Sequence, residues 1–333
     1  MVVYNGEKFI AEAIQSILNQ TYSNFELIIV NDASTDSTEK IIKSFSDTRI
    51  FYYEHSNNSG ECISRNTALK KSKGKYIAVN DSDDNSFPLR LVKQVKFLEE
   101  NLDYGLVGSL AEVIDKDGIT NGNIQSLAFS YKMTKVILLF RNCFTHSSFM
   151  YRKKDLLKVG INKNKPIAVD YETAVKISRI SKICNIDEAL VQYREHGNNM
   201  LVKYKNDIES NVKAILKMQI EELGINPTKQ ELDIHYRLKK SLSHHVNNKF
   251  LAHILWLDKL YYANKKQMVF PNDEFSRYVA GYWFNLINNP DQYNIKLLQP
   301  YFKSPILRSS NLKLIDHLKF TVKCLFKHKS RNL

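Results

Sequence analysis

The sequence lacks three features that define broad classes of protein. No apolar run approaches the roughly 20 residues that span a bilayer. No basic segment followed by an apolar one marks a secretory signal peptide. The four cysteines are widely spaced and form no CxxC pair, which argues against a zinc site. We therefore expect a cytoplasmic protein whose thiols are reduced.

Positive charge, by contrast, is abundant. The formal net charge is +13 over 333 residues, and many of the lysines fall in the last third of the chain. Basic proteins favour anionic partners such as nucleic acid, phosphorylated ligands or anionic lipid. The length suggests two domains, and a hydrophobic fraction of 43% allows a packed core.

The first half of the chain alternates strand-like and helix-like segments. Apolar or β-rich runs at 25–30, 49–53 and 76–79 are separated by helical patterns, of which residues 9–18 are the clearest. Such alternation predicts an α/β fold with a mostly parallel central sheet flanked by helices. After about residue 200 helical patterns dominate. We expect a catalytic domain over 1–200 and a helical region over 201–333.

Acidic residues cluster where the third of these strands ends. Asp81, Asp83 and Asp84 follow the run at 76–79, and Asp32 follows the run at 25–30. Ligands of parallel sheets bind beyond the carboxyl ends of the strands. Crowded carboxylates are tolerable when a hard divalent cation sits among them, and such ions usually bridge to phosphate. The plain alternative is a polar turn that caps the next helix, which we expect to begin at Pro88.

The first strand is unusually short. Only Met1, Val2 and Val3 precede the turn at Tyr4-Asn5-Gly6, whereas strands usually contain about five or six residues. If this strand is central, part of it is missing. We therefore hypothesise that Met1 is an internal methionine of a longer natural chain.

Five segments, in order, resemble the inverting family 2 glycosyltransferases with a GT-A fold, which use nucleotide sugars. The resemblance covers about residues 1–200, and the later region resembles no family that we can name. The segments are Val3–Tyr22, Phe25–Asp36, Asn58–Asn66, Asp81–Asp84 at the position of the DxD motif, and the pair His146–Arg152 with Tyr193–Asn199. The QxxRW-type motif of processive synthases is missing, which favours transfer of one sugar.

The resemblance implies roles for specific residues. Asp170 would be the general base for the acceptor hydroxyl, although Val169 stands where the family usually has a neighbouring carboxylate. His146 would line the acceptor side. The implied nucleotide-sugar-binding residues are Val3, Tyr4, Asn5, Asp32, Arg65, Asp81 and Ser82, and the implied ligands of Mn²⁺ or Mg²⁺ are Asp83, Asp84 and His196.

Each of these residues also has a structural interpretation. Asp32 and Asp170 suit helix N-caps, Tyr4 and Asn5 suit a turn, Arg65 suits a solvated helix face, and His196 suits a structural histidine. Ala33 replaces the glycine that is usual in the family between Asp and Ser. It therefore tests whether that turn needs a positive φ.

The function implied is transfer of one sugar, by a hexosyltransferase-type enzyme, from a nucleoside-diphosphate sugar, with UDP-sugar favoured. The acceptor would be a hydroxyl of a glycan or lipid-linked molecule in surface polysaccharide or lipopolysaccharide synthesis. The segment at about 311–331 reads as a basic amphipathic helix for the anionic inner face of the cell membrane, or as a helix that packs its apolar face on the domain.

Two other functions remain open from the residues alone. One is a nucleotidyltransferase on a related α/β sheet, for which Tyr4–Lys8 is a poor phosphate loop. The other is a basic non-catalytic nucleic-acid-binding protein, which the charge alone suggests. No recognised nucleic-acid module is present and an acidic crevice opposes it, so we expect no nucleic-acid partner.

Overall fold

The computed structural model describes residues 1–161, 168–197, 205–238, 250–287, 295, 298–306 and 314–330. The chain divides into two compact units. The first unit contains Met1–Thr134 and Asn142–Asn211, and the second contains Lys135–Arg141 and Val212–Leu333. The second unit therefore takes in a short segment from within the predicted catalytic domain.

A three-stranded parallel sheet begins the first unit. Strands β1 (Val2–Val3), β2 (Leu27–Asn31) and β3 (Ile50–Glu54) lie side by side in that order, connected by helices α1 (Ile10–Leu18) and α2 (Thr38–Lys43). The apolar residues of α1 recur at helical spacing and pack on β2 and α2 in one core cluster. β2 and β3 begin within two residues of their predicted starts.

A mixed sheet completes the unit. Its strands are β4 (Tyr76–Ala78), β5 (Asn85–Ser86), β6 (Tyr104–Ile114), β7 (Thr120–Gln125), β8 (Met150–Arg152) and β9 (Lys182–Arg194). They are ordered β4-β8-β6-β9-β5, with β7 also paired to β6. β6 and β9 are parallel and the other pairs are antiparallel. The expected α/β class is confirmed, and parallel pairing occurs in both sheets: throughout the first and between β6 and β9 in the second.

Helices cover these sheets. They are α3 (Glu61–Lys71), α4 (Arg90–Glu100), α5 (Tyr131–Ile137), α6 (Lys153–Val159) and α7 (Val169–Ile177), with a short 3₁₀ turn at His146–Ser148. The helix expected from Pro88 begins two residues later, at Arg90. Proline has no backbone N–H to donate, so it suits a position just before or at a helix start.

The described residues of the second unit form helices joined by turns and contain no strand. Its helices are α8 (Lys205–Glu222, which starts in the first unit), α9 (Lys229–Leu238), α10 (Phe250–Gln267), α11 (Asn272–Ile287), α12 (Leu298–Lys303) and α13 (Leu314–Ser330). Large aromatic side chains fill its core, among them Trp256, Trp283 and Tyr301. Of the basic tail predicted at 311–331, the flanking residues 311–313 and 331 lie outside the described ranges.

Two structural features bear on the expectations from composition. None of the helices in the described ranges combines the length and the apolar character that crossing a bilayer requires. The four cysteines, all of which lie in described segments, are buried and form no disulfide.

Candidate active site

The acidic loop, residues 81–84, follows β4 and is held in place by hydrogen bonds from Arg90 and Asn80. The buried guanidinium of Arg90 donates to the carbonyl of Val79 at 2.6 Å and to Asn80 Oδ1 at 3.1 Å. The Asn80 amide in turn donates to the carbonyls of Asp81 and Asp84, each at 2.9 Å. These bonds fix both ends of the loop, so its carboxylates are positioned before any ligand arrives.

Asp81 points towards a histidine and an arginine. His146 Nδ1 lies 2.9 Å from both of its carboxylate oxygens, and Arg65 Nη2 lies 3.7 Å from Oδ1. Burial acts to raise the pKa of Asp81, but His146 and Arg65 more than offset it and hold that pKa well below its usual range. Asp81 is therefore an anion that lies beside the guanidinium of Arg65 and the ring of His146.

Asp83 points away from Asp81, towards the end of β9. Its Oδ2 lies 2.9 Å from His196 Nε2, and about a third of its side chain is exposed. Burial and the charge of Asp81 raise its pKa. Asp83 and His196 thus place one oxygen and one nitrogen donor side by side at the solvent edge of the loop. A single cation can contact both atoms.

Asp84 is almost fully buried and faces the protein. Its Oδ1 accepts the backbone N–H of Arg194 at 2.8 Å, and its Oδ2 is hydrogen-bonded to Ser147 Oγ. Burial, followed by the charges of Asp83 and Asp81, raises its pKa well above the usual value. Ser147 Oγ is also 2.8 Å from Asp81 Oδ2, so one hydroxyl links two carboxylates.

Arg194, which lies in the family-like segment Tyr193–Asn199 but was assigned no role from the sequence, connects the acidic loop to α1. Its side chain is 1% exposed, donates to the carbonyl of Asp83 at 2.9 Å and pairs with Glu12 at 2.6 Å. The guanidinium also lies 4.8 Å from the ring centre of Phe9. An arginine that is bonded on three sides in this way fixes the position of β9, and with it His196, relative to the acidic loop.

Asp32 organises the loop that precedes α3. Its carboxylate accepts the backbone N–H groups of Ser59 at 2.9 Å and Gly60 at 2.8 Å, and His55 Nδ1 lies 2.9 Å away. Although burial acts to raise its pKa, these hydrogen bonds lower it. Asp32 does not cap α2, because its donors come from the next loop. Gly60 has φ +86°, where a residue with a Cβ would be strained.

The turn after β1 is tied to the turn after β2. Asn5 N donates to Ser34 Oγ at 2.9 Å, and Asn5 Oδ1 accepts the N–H of Thr35 at 2.8 Å. Tyr4 is half exposed, whereas the Val3 side chain is 2% exposed and packs in the core. Val3 therefore faces a ligand only through its backbone. Ser82 approaches this turn, with Oγ 3.7 Å from the point at which Gly6 would carry a Cβ.

Asp170 lies at the start of α7 on the far side of Asp81. Its Oδ2 accepts a hydrogen bond from Asn142 Nδ2 at 2.8 Å. Ala168, just before the helix, has φ +62° and turns the chain into it. Arg65, Asp81, His146 and Asp170 all line one cavity of about 470 Å³. The structure thus brings these four side chains to one cavity, whereas Asp83, Asp84 and His196 are not among the residues that line it.

Few protein groups near the acidic loop are placed to bind a divalent cation. Within the described residues, no group of three or more His, Cys, Asp and Glu side chains is arranged to hold a metal ion. Asp83 and His196 nevertheless supply two adjacent donors. Mg²⁺ is usually bound by one or two carboxylates plus substrate phosphates and water. The residues present fit a cation whose other ligands come from a diphosphate.

Comparisons with known proteins agree on one family. Residues 1–160 match the family model described as glycosyl transferase family 2. The chain is 35% identical over 229 residues to an uncharacterized glycosyltransferase of Haemophilus influenzae, covering 65% of this chain and 71% of that protein. It is 33% identical to the O-antigen biosynthesis glycosyltransferase WbnJ of Escherichia coli, over 60% of this chain and 79% of that protein.

Solved structures share the fold at low identity. Residues 1–349 of TarS from S. aureus, in complex with UDP-GlcNAc, align with TM-score 0.56, 18% identity and 85% of each chain. The mannosyltransferase PcManGT from Pyrobaculum calidifontis, in complex with GDP-Man and Mn²⁺, aligns with TM-score 0.53 and 16% identity over 98% of this chain and 84% of that one.

Proposed function

Since this chain belongs to glycosyl transferase family 2 and is a glycosyltransferase with a GT-A fold, we propose that it transfers one sugar from a nucleoside-diphosphate sugar, with inversion. The observation that carries the proposal is the division of the acidic loop. Asp83 lies beside His196, with which it could share a cation. Asp81 lines the same cavity as Asp170. The acceptor we propose is a hydroxyl of a surface glycan or of a lipid-linked precursor.

Asp83 and His196 would hold Mn²⁺ or Mg²⁺, which when bound neutralises the charge that develops on the leaving diphosphate. Asp84 enters this proposal as a positioning residue, because both of its oxygens are engaged by Arg194 and Ser147. In that position it sets the direction of Asp83 without contacting the substrate. Arg65 offers a cationic fork at the cavity edge, where it suits a phosphate oxygen.

The general base we propose is Asp170, which accepts the proton of the acceptor hydroxyl. Asn142 donates to Oδ2, and this leaves Oδ1 to meet the hydroxyl. The guanidinium of Arg65, already paired with a carboxylate on its own helix, also interacts electrostatically with Asp170. His146, held by Asp81, would line the acceptor side.

The nucleoside we propose lies over the turns after β1 and β2. Tyr4 offers an exposed ring for stacking on a base, and Asn5 and Ser82 line the same turn. The Asp32 carboxylate already accepts three protein hydrogen bonds, so it would shape the base pocket through the loop at 56–60 as much as by direct contact. The N–H of a uracil or thymine would have to donate to this carboxylate in addition to the three protein donors.

Donor binding tests the metal and nucleotide parts of the proposal. Thermal unfolding would be measured with UDP-, GDP- and dTDP-sugars, each with and without Mn²⁺. We expect at least one donor to raise the unfolding temperature, and to do so more with Mn²⁺. Asp83→Asn should abolish the additional rise in unfolding temperature that Mn²⁺ causes. Asp117→Asn, which changes an exposed carboxylate, should retain that rise. No shift with any donor would contradict the proposal.

Turnover tests the base. Asp170→Asn keeps the size of the side chain but removes the proton acceptor, so we expect kcat to fall by about 10²–10⁴-fold with donor affinity unchanged. Asp187→Asn, at an exposed position of β9, should turn over normally. If Asp170→Asn retains more than a tenth of the activity, another group is the base.

We also propose that α13 rests on an anionic membrane surface, where a lipid-linked acceptor resides. Ile315, Leu318, Val322, Leu325 and Phe326 lie at helical spacing along α13, and all are 43–66% exposed. Lys319 and Lys323 lie beside them and are exposed. An exposed apolar stripe flanked by lysines suits the boundary between acyl chains and anionic headgroups.

Vesicle binding tests this surface. Leu318→Glu should weaken binding to vesicles that contain phosphatidylserine by at least about tenfold. It removes an apolar group that the bilayer would bury, and it adds a negative charge that anionic headgroups repel. Leu157→Glu, an equal change at an exposed site on α6, should bind as the unaltered protein does. Equal binding of both variants would contradict the membrane proposal.

A further inference from the structure

An aromatic ring at the start of α1 packs against the end of β9, next to the candidate cation ligand His196. Phe9 immediately precedes α1, and its amide donates to the carbonyl of Gly6 at 3.1 Å, in the turn that follows β1. The centre of its ring lies 5.0 Å from that of His196, and the two ring planes are inclined by 37°. The same ring lies 4.8 Å from the guanidinium carbon of Arg194. Phe9 thus lies beside both functional side chains at the end of β9.

Arg194 holds this ring in place. Its guanidinium is buried, donates to the carbonyl of Asp83 at 2.9 Å and pairs with Glu12 at 2.6 Å. Glu12 lies in the first turn of α1, three residues after Phe9, so one turn of helix supplies both the ring and the carboxylate. A guanidinium within about 6 Å of a ring centre attracts the ring electrostatically. His196 therefore packs against a ring that is already fixed by its other neighbours.

Phe9 stands apart from the apolar core that surrounds it. The core cluster that packs α1 on β2 contains Ile10, Ile14 and Ile17, but among the described residues it does not include Phe9. The Phe9 side chain is only partly buried. A phenylalanine that served the stability of the sheet alone would be expected in that cluster. Its contacts with a guanidinium and an imidazole indicate a role at the end of β9 instead.

The imidazole of His196 serves a cation only in one orientation. Its Nε2 lies 2.9 Å from Asp83 Oδ2, which puts the two donor atoms side by side. A histidine binds a metal through one ring nitrogen, so a rotation that turned Nε2 away from Asp83 would separate the two donors. In metal sites, removing a group that orients a ligand typically lowers metal affinity by about 10–100-fold. A packing contact is weaker than a hydrogen bond, so the lower end of that range applies to a ring.

We infer that Phe9 is a positioning residue for the cation site, whose ring holds the imidazole of His196 in the orientation in which Nε2 faces Asp83. The inference rests on the proposed function, because the cation belongs to the proposed reaction. Phe9 is not itself a ligand, since a phenyl ring has no donor atom, and it acts through His196. Loss of the ring should therefore raise the Mn²⁺ concentration that the enzyme requires, while turnover at saturating Mn²⁺ stays nearly unchanged.

Mn²⁺ binding by the full chain tests this role without turnover. The electron paramagnetic resonance signal of free Mn²⁺ gives its dissociation constant in the presence of UDP, GDP or dTDP. Phe9→Leu keeps an apolar side chain but removes the ring, so it should weaken Mn²⁺ binding about tenfold. Phe9→Tyr keeps the ring and should bind Mn²⁺ as the unaltered protein does. The matched control is Phe51→Leu, which removes a ring that lies under Lys73 on β3, and it should leave the constant unchanged.

The outcomes separate this inference from the proposed function. If the unaltered protein binds Mn²⁺ with none of the three nucleotides, the cation proposal fails and the role of Phe9 fails with it. If the unaltered protein binds Mn²⁺ and Phe9→Leu binds it equally well, or Phe51→Leu loses as much, only the role of Phe9 is overturned.

A measurement on the unaltered protein decides the matter if thermal unfolding shows that Phe9→Leu does not fold. In the complex with Mg²⁺ and the nucleotide, nuclear Overhauser contacts should connect the ring protons of Phe9 with those of His196. Their presence would show that the ring supports the imidazole while the cation is bound. Their absence would overturn the inference.

Discussion

Four residues other than glycine in the described part of the first unit have a positive φ, and three of them lie in turns beside the site. Asn5 has φ +52°, Ala33 has φ +61° and Ala168 has φ +62°. Asparagine tolerates this region, because its short polar side chain bonds locally, but alanine is strained there. The question that the sequence raised about Ala33 is therefore answered: the turn after β2 does need a positive φ, and it keeps that φ without glycine.

Restoring glycine should relieve this strain. Ala33→Gly should raise the free energy of unfolding by about 0.5–1 kcal/mol, because the left-handed penalty exceeds the extra backbone entropy of glycine. The check is urea unfolding beside Ala11→Gly, an exposed position on α1 where the same change should cost about 1 kcal/mol. Destabilisation by both changes would show that the turn bears no strain.

At this scale the sequence predicted residue positions better than residue partners. The positions of Asp32, Asp81 and Asp83 at strand ends follow from local patterns. The contacts of Asp81 with His146 and of Asp84 with Arg194 join residues 65 and 110 positions apart, and no local periodicity encodes them. The roles of the site residues in catalysis stay predictions.

Among the elements, the segment that leaves the first unit is the one least visible in the sequence. Residues 135–141 join the second unit, where the carbonyl of Leu138 accepts from Gln219 and that of Leu139 from His235, each at 2.8 Å. β6 is likewise one continuous strand of 11 residues, Tyr104–Ile114, although no single apolar run in the sequence has that extent. Local propensity did not reveal either feature, because both depend on pairing with distant segments.

His235, on α9, makes the free energy of unfolding depend on pH. Trp256 donates to its Nδ1 at 3.1 Å, so Nε2 carries the proton that is donated to Leu139, and the neutral ring satisfies both bonds. Burial lowers its pKa to about 4. The unfolded chain binds a proton below its usual pKa of about 6.5. Stability contributed here is thus complete above that pH and falls as the pH drops towards 4.

Replacing His235 by a residue that does not titrate should reduce the dependence of the unfolding free energy on pH. His235→Gln keeps a donor and an acceptor but does not titrate, so the difference in unfolding free energy between the two proteins should change by about 3 kcal/mol from pH 7 to 4. Chemical unfolding across this range measures it. A difference that is constant with pH would mean that His235 titrates normally in the folded chain.

For the whole molecule, the distribution of charge matters more than its sum. Residues 135–141 and 212–333 contain 22 Lys and Arg against 9 Asp and Glu, whereas the rest of the chain contains 26 of each. The second unit therefore carries the entire net charge of +13, and the first unit, which holds the candidate active site, is formally neutral. The charge that could attract an anionic surface is thus carried by the helical unit.

Two pairs of lysines separate the units experimentally. Lys265 and Lys266 end α10, and Lys70 and Lys71 end α3, and all four are exposed in the last turn of a helix. Changing Lys265 and Lys266 to Glu should weaken binding to anionic vesicles at least about fivefold at low salt, and the same change of Lys70 and Lys71 should have little effect. Equal losses would mean that overall charge alone controls binding.

The four buried cysteines can report local unfolding of the chain, because a thiol becomes reactive only when its surroundings open. Burial raises the pKa of Cys62 to about 11 and that of Cys184 to about 12, so little reactive thiolate exists while the fold is closed. Cys62 lies on α3 beside the loop that Asp32 holds, and Cys324 lies on α13. The rate at which each thiol is alkylated, followed by peptide mass, therefore measures how often its own part of the molecule opens, without any added label.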